Sequence, residues 1–281
     1  MFKDILVPLD GSELAERVMQ RVAPWRAAGS TLHLARVIPA AGADVTPFDE
    51  VLTLEARSYL NYLGAEAGGA VKTDVRRGTV ADEVLAAAKA ANADLIALSS
   101  HGESGVTRFV FGSVAERIVR SSACPVIVFS AVPTKPPTGR PERMLVALDG
   151  TPASEASLAP ARLLAKAHGM TITVMHVVEA LWAAGDSALA RVQAKDAKKV
   201  NDRVEQIAAQ LQSEGFAARP LMARGDNATE LLLQIERRRA DIVCMATMAR
   251  SNVNRWFFGS VAEKILKASP VPVLLVRKAS T

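Results

Sequence analysis

Cysteine and histidine are scarce in this chain of 281 residues, which argues against a disulfide framework or a metal centre. The two cysteines, Cys124 and Cys244, have no neighbouring cysteine or histidine at a metal-ligand spacing. The four histidines also form no cluster in the sequence, since they are His33, His101, His168 and His176. We therefore expect two reduced, buried thiols and no metal site.

Long apolar runs are also absent, because no stretch approaches the roughly 18 residues that a membrane-spanning helix needs. The first residues lead directly into a strand-like run from Ile5 to Leu9, without the apolar region and cleavage site of a secretory signal. Hydrophobic residues make up 49% of the chain and charged residues 22%, as in soluble globular proteins. These features predict a cytoplasmic protein that does not interact with membranes.

The familiar sequence signatures of several enzyme classes are missing. There is no P-loop motif and no Gly-x-Gly-x-x-Gly after a strand, which argues against a P-loop NTPase and a Rossmann dehydrogenase. The Gly-x-Ser-x-Gly elbow of hydrolases is absent as well. Ser99, Ser100 and His101 are adjacent in the chain and are not expected to face each other as nucleophile and base. We predict no catalytic residues.

The net charge of +5 permits weak attraction to polyanions, but the basic residues are dispersed. The run Arg237-Arg238-Arg239 ends a helical pattern, where cations interact favourably with the helix dipole and with solvent. No aromatic residues of the kind that stack on bases accompany it. We interpret the run as a solvated helix end and expect no specific nucleic-acid partner.

What the sequence does contain is an internal repeat. The segment Ile5 to Ser12 matches Met144 to Thr151, and Phe111 to Glu116 recurs letter for letter as Phe258 to Glu263. The offset between the copies grows from 139 to 147 residues, which places an insertion of about eight residues between Val177 and Gly225. The insertion is expected to lengthen the polar helix around residues 187–213.

The repeat predicts two domains, residues 1–130 and 142–281, joined by a stiff linker over the proline-rich residues 131–141. Short apolar runs alternate with helical patterns in each copy, as in a parallel sheet with crossover helices. In the first copy the candidate strands are residues 4–9, 31–37, 70–76, 94–99 and 126–130. Each half is therefore expected to be a doubly wound α/β domain.

Ligands of such sheets bind beyond the carboxyl ends of the strands, where the strand order reverses. The first half carries Asp10 at one such end, and this side chain either contacts a ligand or stabilises a local turn. Thr151-Pro152 fits a helix N-cap followed by a first-turn proline, so the aligned Ser12 is expected to cap the first helix. That assignment would leave the Asp10 carboxylate available.

A glycine loop follows the fourth predicted strand. Ser99-Ser100-His101-Gly102 is followed after nine residues by Gly112-Ser113, and the second pair opens a helical pattern. Backbone N–H groups of such a loop and helix start bind phosphate groups. Ser113, like Ser260 in the second half, is interpreted as an N-cap, a ligand contact, or both.

With this spacing the chain resembles universal stress proteins, a family whose motif is Gly-x-x-Gly, nine residues, then Gly-Ser or Gly-Thr. The resemblance extends over both halves and implies two tandem domains, each with five parallel strands in the order 3-2-1-4-5 and helices on both faces. It also implies ATP binding. The implied adenosine contacts are Pro8, Asp10, Val37 and Leu98, and the implied phosphate contacts are Ser99, Gly102, Gly112, Ser113 and the Val114 backbone.

The two halves depart from the family motif to different extents. In the first, only Ser99 replaces a glycine, which would cause strain if its φ were positive. In the second, alanine replaces the strand-end proline and both loop glycines, at Ala147, Ala246 and Ala249, and Met248 adds bulk. A weaker second site remains conceivable on four retained residues: Asp149, Val177, Gly259 and Ser260. We expect one competent site per chain.

The resemblance therefore predicts a stress-response protein that binds ATP mainly in the first half and acts as a sensor or binding module. Mg²⁺ is expected only as a companion of the nucleotide. Arg108 is either a counter-charge for the phosphates or a solvated loop residue. The alternatives are a slow ATP hydrolase or related adenine-nucleotide enzyme, and a ligand-free interaction protein. Pairing of the two domains within the chain, and a homodimer, are also expected.

Overall fold

The computed structural model describes residues 2–40, 47–100, 111–130, 140–179, 188–247 and 259–277, with side chains in the fifth range described from residue 195 onward. The chain divides into two compact units, Met1–Pro136 and Pro137–Thr281, called unit 1 and unit 2 below. Among the described helices, none combines the length and apolar character required to cross a membrane.

Unit 1 is a parallel sheet with strand order β3-β2-β1-β4-β5, as predicted. Its strands are β1 (Phe2–Pro8), β2 (Arg26–Pro39), β3 (Ala70–Gly78), β4 (Leu95–Ser99) and β5 (Val126–Phe129). Its helices are α1 (Glu13–Val22), α2 (Pro47–Ala67), α3 (Val80–Ala90) and α4 (Ser113–Ser121). Because crossovers between parallel strands are right-handed, α1 and α2 cover one face of the sheet and α3 and α4 cover the other.

The core of unit 1 follows from its apolar patterns. Leu95 to Leu98 of β4 form a continuous apolar run, and all four are buried because helices cover both faces of the sheet. The buried side of α1 includes Val18 and Val22, which are spaced for one helix face. Trp25 is only 1% exposed in the short 3-10 helix that follows.

Unit 2 repeats this arrangement with strand order β8-β7-β6-β9-β10. Its strands are β6 (Arg143–Ala147), β7 (Thr171–Val178), β8 (Ala218–Arg224), β9 (Ile242–Thr247) and β10 (Val273–Arg277). Its helices are α5 (Leu158–His168), α6 (Ala188–Ser213), α7 (Asn227–Arg237) and α8 (Ser260–Ala268). Helix α6 has 26 residues, whereas α2 has 21, and it lies in the region of the predicted insertion.

The first helices of the two units begin differently. Ser12 is the N-cap of α1 and accepts a hydrogen bond from the Ala15 N–H at 3.2 Å, which confirms its predicted role. The prediction that an α-helix starts at Thr151-Pro152 is wrong, because a 3-10 helix over Ser154–Ser157 precedes α5. The Ser154 N–H and hydroxyl both donate to the Thr151 carbonyl, a short-range pairing that favours the tighter turn.

The two thiols are not joined in a disulfide. Cys244 is buried in β9, and burial raises the pKa of its thiol. Cys124 is partly exposed, and burial again is the main cause that raises its pKa. Both side chains are therefore thiols rather than thiolates near neutral pH.

Candidate functional site

In unit 1 the carboxyl ends of three neighbouring strands, β2, β1 and β4, lie side by side where the strand order reverses, and these strand ends are called the carboxyl edge of the sheet. In the β1–β2 ladder Pro8 lies opposite Ala35, and the Leu9 N–H donates to the Ala35 carbonyl at 2.8 Å. This register brings Asp10 toward the level of Val37. The same edge receives the end of β4, so the structure brings together five predicted contacts: Pro8, Asp10, Val37, Leu98 and Ser99.

Asp10 stabilises the turn between β1 and α1. Its Oδ1 atom accepts a hydrogen bond from the Ser12 N–H at 3.0 Å, an Asx turn that directs the chain into the helix. Capping by Ser12 therefore does not leave the Asp10 carboxylate free, and the local turn role that the sequence offered as an alternative is observed. The side chain remains partly exposed, so contact with a ligand stays a prediction.

An arginine and a tyrosine that sequence reasoning missed lie beside this turn. Gly11 has φ +89°, and a Cβ atom there would lie 2.9 Å from Nη1 of Arg36. The Arg36 guanidinium stacks over the Tyr59 ring, 4.9 Å from its centroid, and the Tyr59 hydroxyl donates to Glu16 at 2.8 Å. Burial and this hydrogen bond raise the pKa of Tyr59. The only sequence signal was the position of Arg36 next to Val37 at a strand end.

The two ends of the glycine loop of unit 1 are joined by a hydrogen bond between Gly112 and Ser100. The Ser100 N–H donates to the Phe129 carbonyl at 2.9 Å, and the Ser100 carbonyl accepts from the Gly112 N–H at 3.1 Å. Ser99 is not among the described residues with positive φ, so serine at this family glycine position causes no backbone strain. His101, Gly102 and Arg108 lie outside the described residues.

Gly112 is the N-cap of α4 and Ser113 is the first helical residue, so the N-cap interpretation of Ser113 is wrong. A glycine N-cap has no side chain that could accept from the N–H groups of the first turn. Gly112 has φ −63° and ψ 139°, and a Cβ atom would meet the Ser100 carbonyl at an ordinary 3.6 Å. Among the described residues, neither conformation nor packing therefore requires glycine here. Val114, the second residue of α4, is 40% exposed.

Unit 2 has the same edge with different surroundings. Asp149 accepts from the Thr151 N–H at 2.9 Å and from its hydroxyl at 2.6 Å. Gly150 has φ +83°, but a Cβ atom there would lie 2.9 Å from a methyl group of Val200 rather than from an arginine. The remaining predicted residues, Val177, Gly259 and Ser260, end β7 or begin α8, with Gly259 as N-cap and Ser260 as first helical residue.

The position equivalent to Arg36 in unit 2 is His176. The Leu9 N–H bonds to the Ala35 carbonyl in unit 1, and the Leu148 N–H bonds to the Met175 carbonyl in unit 2, which aligns the residues that follow. The Nδ1 atom of His176 lies 2.8 Å from the Leu148 carbonyl oxygen. The cation over the turn in unit 1 is thus replaced by an imidazole bonded to the backbone. Within the described residues of both units, no three His, Cys, Asp or Glu side chains are arranged to hold a metal ion.

Comparisons with known proteins match both units to one family. The sequence model of the universal stress protein family matches residues 1–130 and 141–277. A universal stress protein from Methanocaldococcus jannaschii is 28% identical over 139 residues, which are 46% of this chain and 82% of that protein. One from Mycobacterium tuberculosis is 27% identical over 191 residues, 66% of this chain and 62% of that protein.

Solved structures of similar fold cover nearly the whole chain. A universal stress protein from Archaeoglobus fulgidus superimposes with a TM-score of 0.73 at 21% identity, covering 98% of this chain and 96% of its own. A structure from Pseudomonas aeruginosa described as a putative universal stress protein gives a TM-score of 0.65 at 18% identity, with coverages of 98% and 93%. The chain therefore belongs to the universal stress protein family and carries two copies of the family domain in tandem.

Proposed function

We propose that unit 1 binds ATP or a related adenine nucleotide, and that the protein acts as a cytoplasmic sensor or binding module in a stress response. The observation that carries the proposal is Gly112. Its φ and its packing against the described residues would accept a side chain, yet glycine places no side chain over the N-terminus of α4, whose first residues Ser113 and Val114 are exposed. Backbone N–H groups at such a helix start, together with the helix dipole, favour phosphate oxygens.

The residues around Gly112 provide complementary parts of a nucleotide site. Val37 is partly exposed and offers apolar surface for the base, with the buried Leu98 beneath the same strand ends, and the partly exposed Asp10 lies beside them. The backbone N–H groups of Ser113 and Val114, the first two residues of α4, would donate hydrogen bonds to the phosphates. Glu116 in the first turn would repel them, but its carboxylate is paired with Arg120 on the next turn. Mg²⁺ bound to the triphosphate would supply further positive charge.

The two units should differ in affinity. Unit 2 keeps Asp149 and the Gly259 helix start, but Ala147 replaces the strand-end proline, Ala246 and Ala249 replace the two loop glycines of the motif, and Met248 adds bulk. The stacked pair of Arg36 and Tyr59 also has no counterpart at His176. We therefore propose unit 1 as the principal nucleotide site. We further propose that the two units pair within the chain and that the protein forms a homodimer, which light scattering after gel filtration would test.

Equilibrium titration with ATP, ADP, AMP and cyclic nucleotides tests the proposal. Gly112→Val places a branched side chain over the helix start and should weaken ATP binding at least about tenfold, since each 1.4 kcal/mol lost is a factor of ten. Gly259→Val, the equivalent change in unit 2, is the matched control and should leave ATP affinity nearly unchanged. Saturable binding that is unaffected by Gly112→Val would contradict the assignment, as would the absence of nucleotide binding.

The same protein preparations distinguish binding from catalysis. ATP turnover that survives removal of contaminating enzymes and disappears in Asp10→Ala would favour the alternative, a slow hydrolase. Mass spectrometry of small molecules that remain bound through purification provides an independent check of the nucleotide class. If no nucleotide is retained and none binds, the ligand-free interaction protein becomes the better interpretation.

A further inference from the structure

Four arginines gather at the amino end of the sheet of unit 2, opposite to the edge discussed above. Arg143 begins β6, and Arg219 is the second residue of β8. Arg238 and Arg239 follow the last turn of α7, which runs antiparallel to the strands and so ends at this same edge. We call these four residues the arginine edge. Arg219 and Arg239 are exposed, and Arg143 and Arg238 are partly exposed.

Neutral groups, rather than carboxylates, hold the side chains of Arg219 and Arg238 in place. The Nε atom of Arg219 donates to the Thr173 hydroxyl at 3.1 Å, and the Nε atom of Arg238 donates to the Gln234 side-chain oxygen at 3.2 Å. Both acceptors are buried, so they provide fixed anchor points. Within the described part of the chain, neither guanidinium forms a salt bridge or uses its Nη groups in a hydrogen bond.

The positive charges at this edge are only partly balanced. Burial is the main cause that lowers the pKa of Arg238, and the charge of Arg219 lowers it further. The two guanidinium groups are therefore close to each other. The Oδ2 atom of Asp241, just before β9, accepts from the backbone N–H groups of Glu142 and Arg143 at 2.8 Å each. Among the described carboxylates, Glu142 alone forms an ion pair with a guanidinium of the arginine edge, at 4.0 Å from Arg143.

Unit 1 provides an internal comparison at the same four backbone positions. Asp4 occupies the place of Arg143, because the Asp94 N–H bonds to the Asp4 carbonyl as the Asp241 N–H bonds to that of Arg143. Lys72 lies opposite His33 in the ladder as Arg219 lies opposite Thr173. The remaining two equivalents of the arginine edge are Ala91 and Asn92. The shared backbone thus carries one acid and one base in unit 1 and four arginines in unit 2.

The acid in unit 1 is also paired locally. The Asp4 carboxylate lies 2.9 Å from Nε2 of His33, the residue that replaces Thr173. The fold itself therefore does not need arginine at these positions. Among the described residues, Arg219 and Arg238 are held by neutral acceptors and form no salt bridge, and Arg143 has only a long contact with the exposed Glu142, so this accumulation of guanidinium groups fits an external anion.

We propose that the arginine edge is a binding site for an oligophosphate group, with one phosphoryl unit held between Arg219 and Arg238 and the next beside Arg143 and Arg239. The planar guanidinium matches two phosphate oxygens at once, and within the described residues the Nη groups of Arg219 and Arg238 make no hydrogen bond to the protein. The site lies at the amino ends of the strands of unit 2, whereas the proposed nucleotide site lies at the carboxyl ends of the strands of unit 1. It does not depend on nucleotide binding by unit 1.

Tripolyphosphate is the probe, titrated calorimetrically into the full chain at low ionic strength. All proteins carry Gly112→Val, so that phosphate binding at the proposed nucleotide site does not contribute. Arg219→Gln combined with Arg238→Gln should weaken binding at least about tenfold, since two charge-assisted hydrogen-bond donors are lost. Arg219→Lys with Arg238→Lys keeps the charge, loses the planar forks, and should give an intermediate affinity.

The matched control removes two positive charges elsewhere. Lys195 and Lys198 are exposed on α6, and Lys195→Gln with Lys198→Gln should leave tripolyphosphate affinity within about twofold. An equal loss in this control would show nonspecific charge attraction and overturn the proposal. No binding to the Gly112→Val protein, or no loss in the double glutamine variant, would overturn it too. Duplex DNA that binds more tightly than tripolyphosphate and is lost in the same variant would overturn the assignment to a small phosphate ligand.

Discussion

Two helices of unit 1 differ in whether the side chain of the N-cap residue makes a hydrogen bond. Ser12 accepts from the Ala15 N–H, whereas the N-cap of α3, Thr79, makes no side-chain capping bond. Ser12→Ala should therefore lower the free energy of unfolding of unit 1 by about 1 kcal/mol. Thr79→Ala is the control and should change it much less.

The measurement needs a probe confined to unit 1. Trp25 is buried there, and the other tryptophans are Trp182 and Trp256. In a background with Trp182→Phe and Trp256→Phe, the fluorescence of Trp25 during urea denaturation reports the unfolding of unit 1. An equal loss of stability in the two cap variants would show that the Ser12 bond is not the source of the effect.

Residue-scale roles were the least predictable from sequence. The residue types at Asp10 and Ser113 suit several tasks, and which one each residue performs depends on where a helix begins. Ser113 is not the N-cap because α4 starts one residue earlier than that role requires, with Gly112 in the extended conformation. Contacts between separate elements, such as Arg36 over Tyr59, leave no periodic pattern and were missed altogether.

At the scale of elements, the two glycine turns after β1 and β6 have the same backbone but different neighbours. Gly11 and Gly150 have φ +89° and +83°, so alanine at either costs about 1 kcal/mol or more from conformation alone. A new Cβ atom would meet the end of the flexible Arg36 side chain in unit 1 and the β-branched Val200 in unit 2, both at 2.9 Å. Gly150→Ala should therefore destabilise its unit more than Gly11→Ala destabilises unit 1.

Denaturation of the two alanine variants, with Gly29→Ala as a reference, checks this ranking. Gly29 also has positive φ, at +75°, but no heavy atom lies within 4 Å of a Cβ atom there. It therefore reports the conformational part of the cost separately. A smaller loss for Gly150→Ala than for Gly29→Ala would contradict the steric argument about Val200.

The start of α7 should make stability depend on pH. Asp226 caps this helix, and hydrogen bonds from the Thr229 hydroxyl and N–H, followed by the charge of Lys264, lower the pKa of its carboxyl from the ordinary value of 3.8. The ionised form is thus favoured in the fold. Its contribution is present above pH 3.8 and is lost as the pH falls through the lower folded value.

Asp226→Asn keeps an N-cap acceptor but does not ionise, so the stability difference from the unaltered protein should shrink between pH 5.5 and pH 3. Urea denaturation followed by circular dichroism at the two pH values measures this difference. Asp202→Asn removes an exposed carboxylate from the middle of α6 and should show no such narrowing. A difference that widened on acidification would have the wrong sign for a lowered pKa.

The order of the elements was accessible from sequence because it rests on repeated and strongly apolar patterns. The run Leu95 to Leu98 predicts a strand covered on both faces, and the structure confirms it. The beginning of β2 was not accessible. The predicted strand covers residues 31–37, but β2 starts at Arg26 and continues through a register irregularity opposite Phe2 and Asp4. Such irregularities depend on the neighbouring strand rather than on local preference.

For the whole molecule, the asymmetry between the units predicts a stoichiometry. Calorimetric titration with ATP should give one site per chain, because unit 2 lacks the loop glycines and the strand-end proline. At a nucleotide concentration about 100 times the Kd, unit 1 should gain about 2.7 kcal/mol of stability, visible in the Trp25 signal. Two equivalent sites per chain would contradict the assignment of unit 2 as the weaker one.

The location of the candidate site follows from topology and was predictable at that level. The rule that ligands bind where strand order reverses selected the ends of β1, β2 and β4, and the structure brings Asp10, Val37 and Ser99 to that edge. The topological rule does not predict which side chains surround the strand ends, as unit 2 shows. Its edge has the same topology, but Val200 and His176 change its surroundings, and these differences arise from contacts that only the folded chain reveals.

Asn92 and Arg239 occupy equivalent turns and share a left-handed backbone, with φ of 47° and 50°. Asparagine adopts that conformation more readily than most residues, while a long side chain such as arginine is uncommon there. The same turn geometry thus carries a residue that suits the backbone in unit 1 and, in unit 2, a guanidinium of the proposed arginine edge. A stability-driven redesign of unit 2 would replace Arg239 first, and would thereby remove part of the surface that distinguishes the two halves.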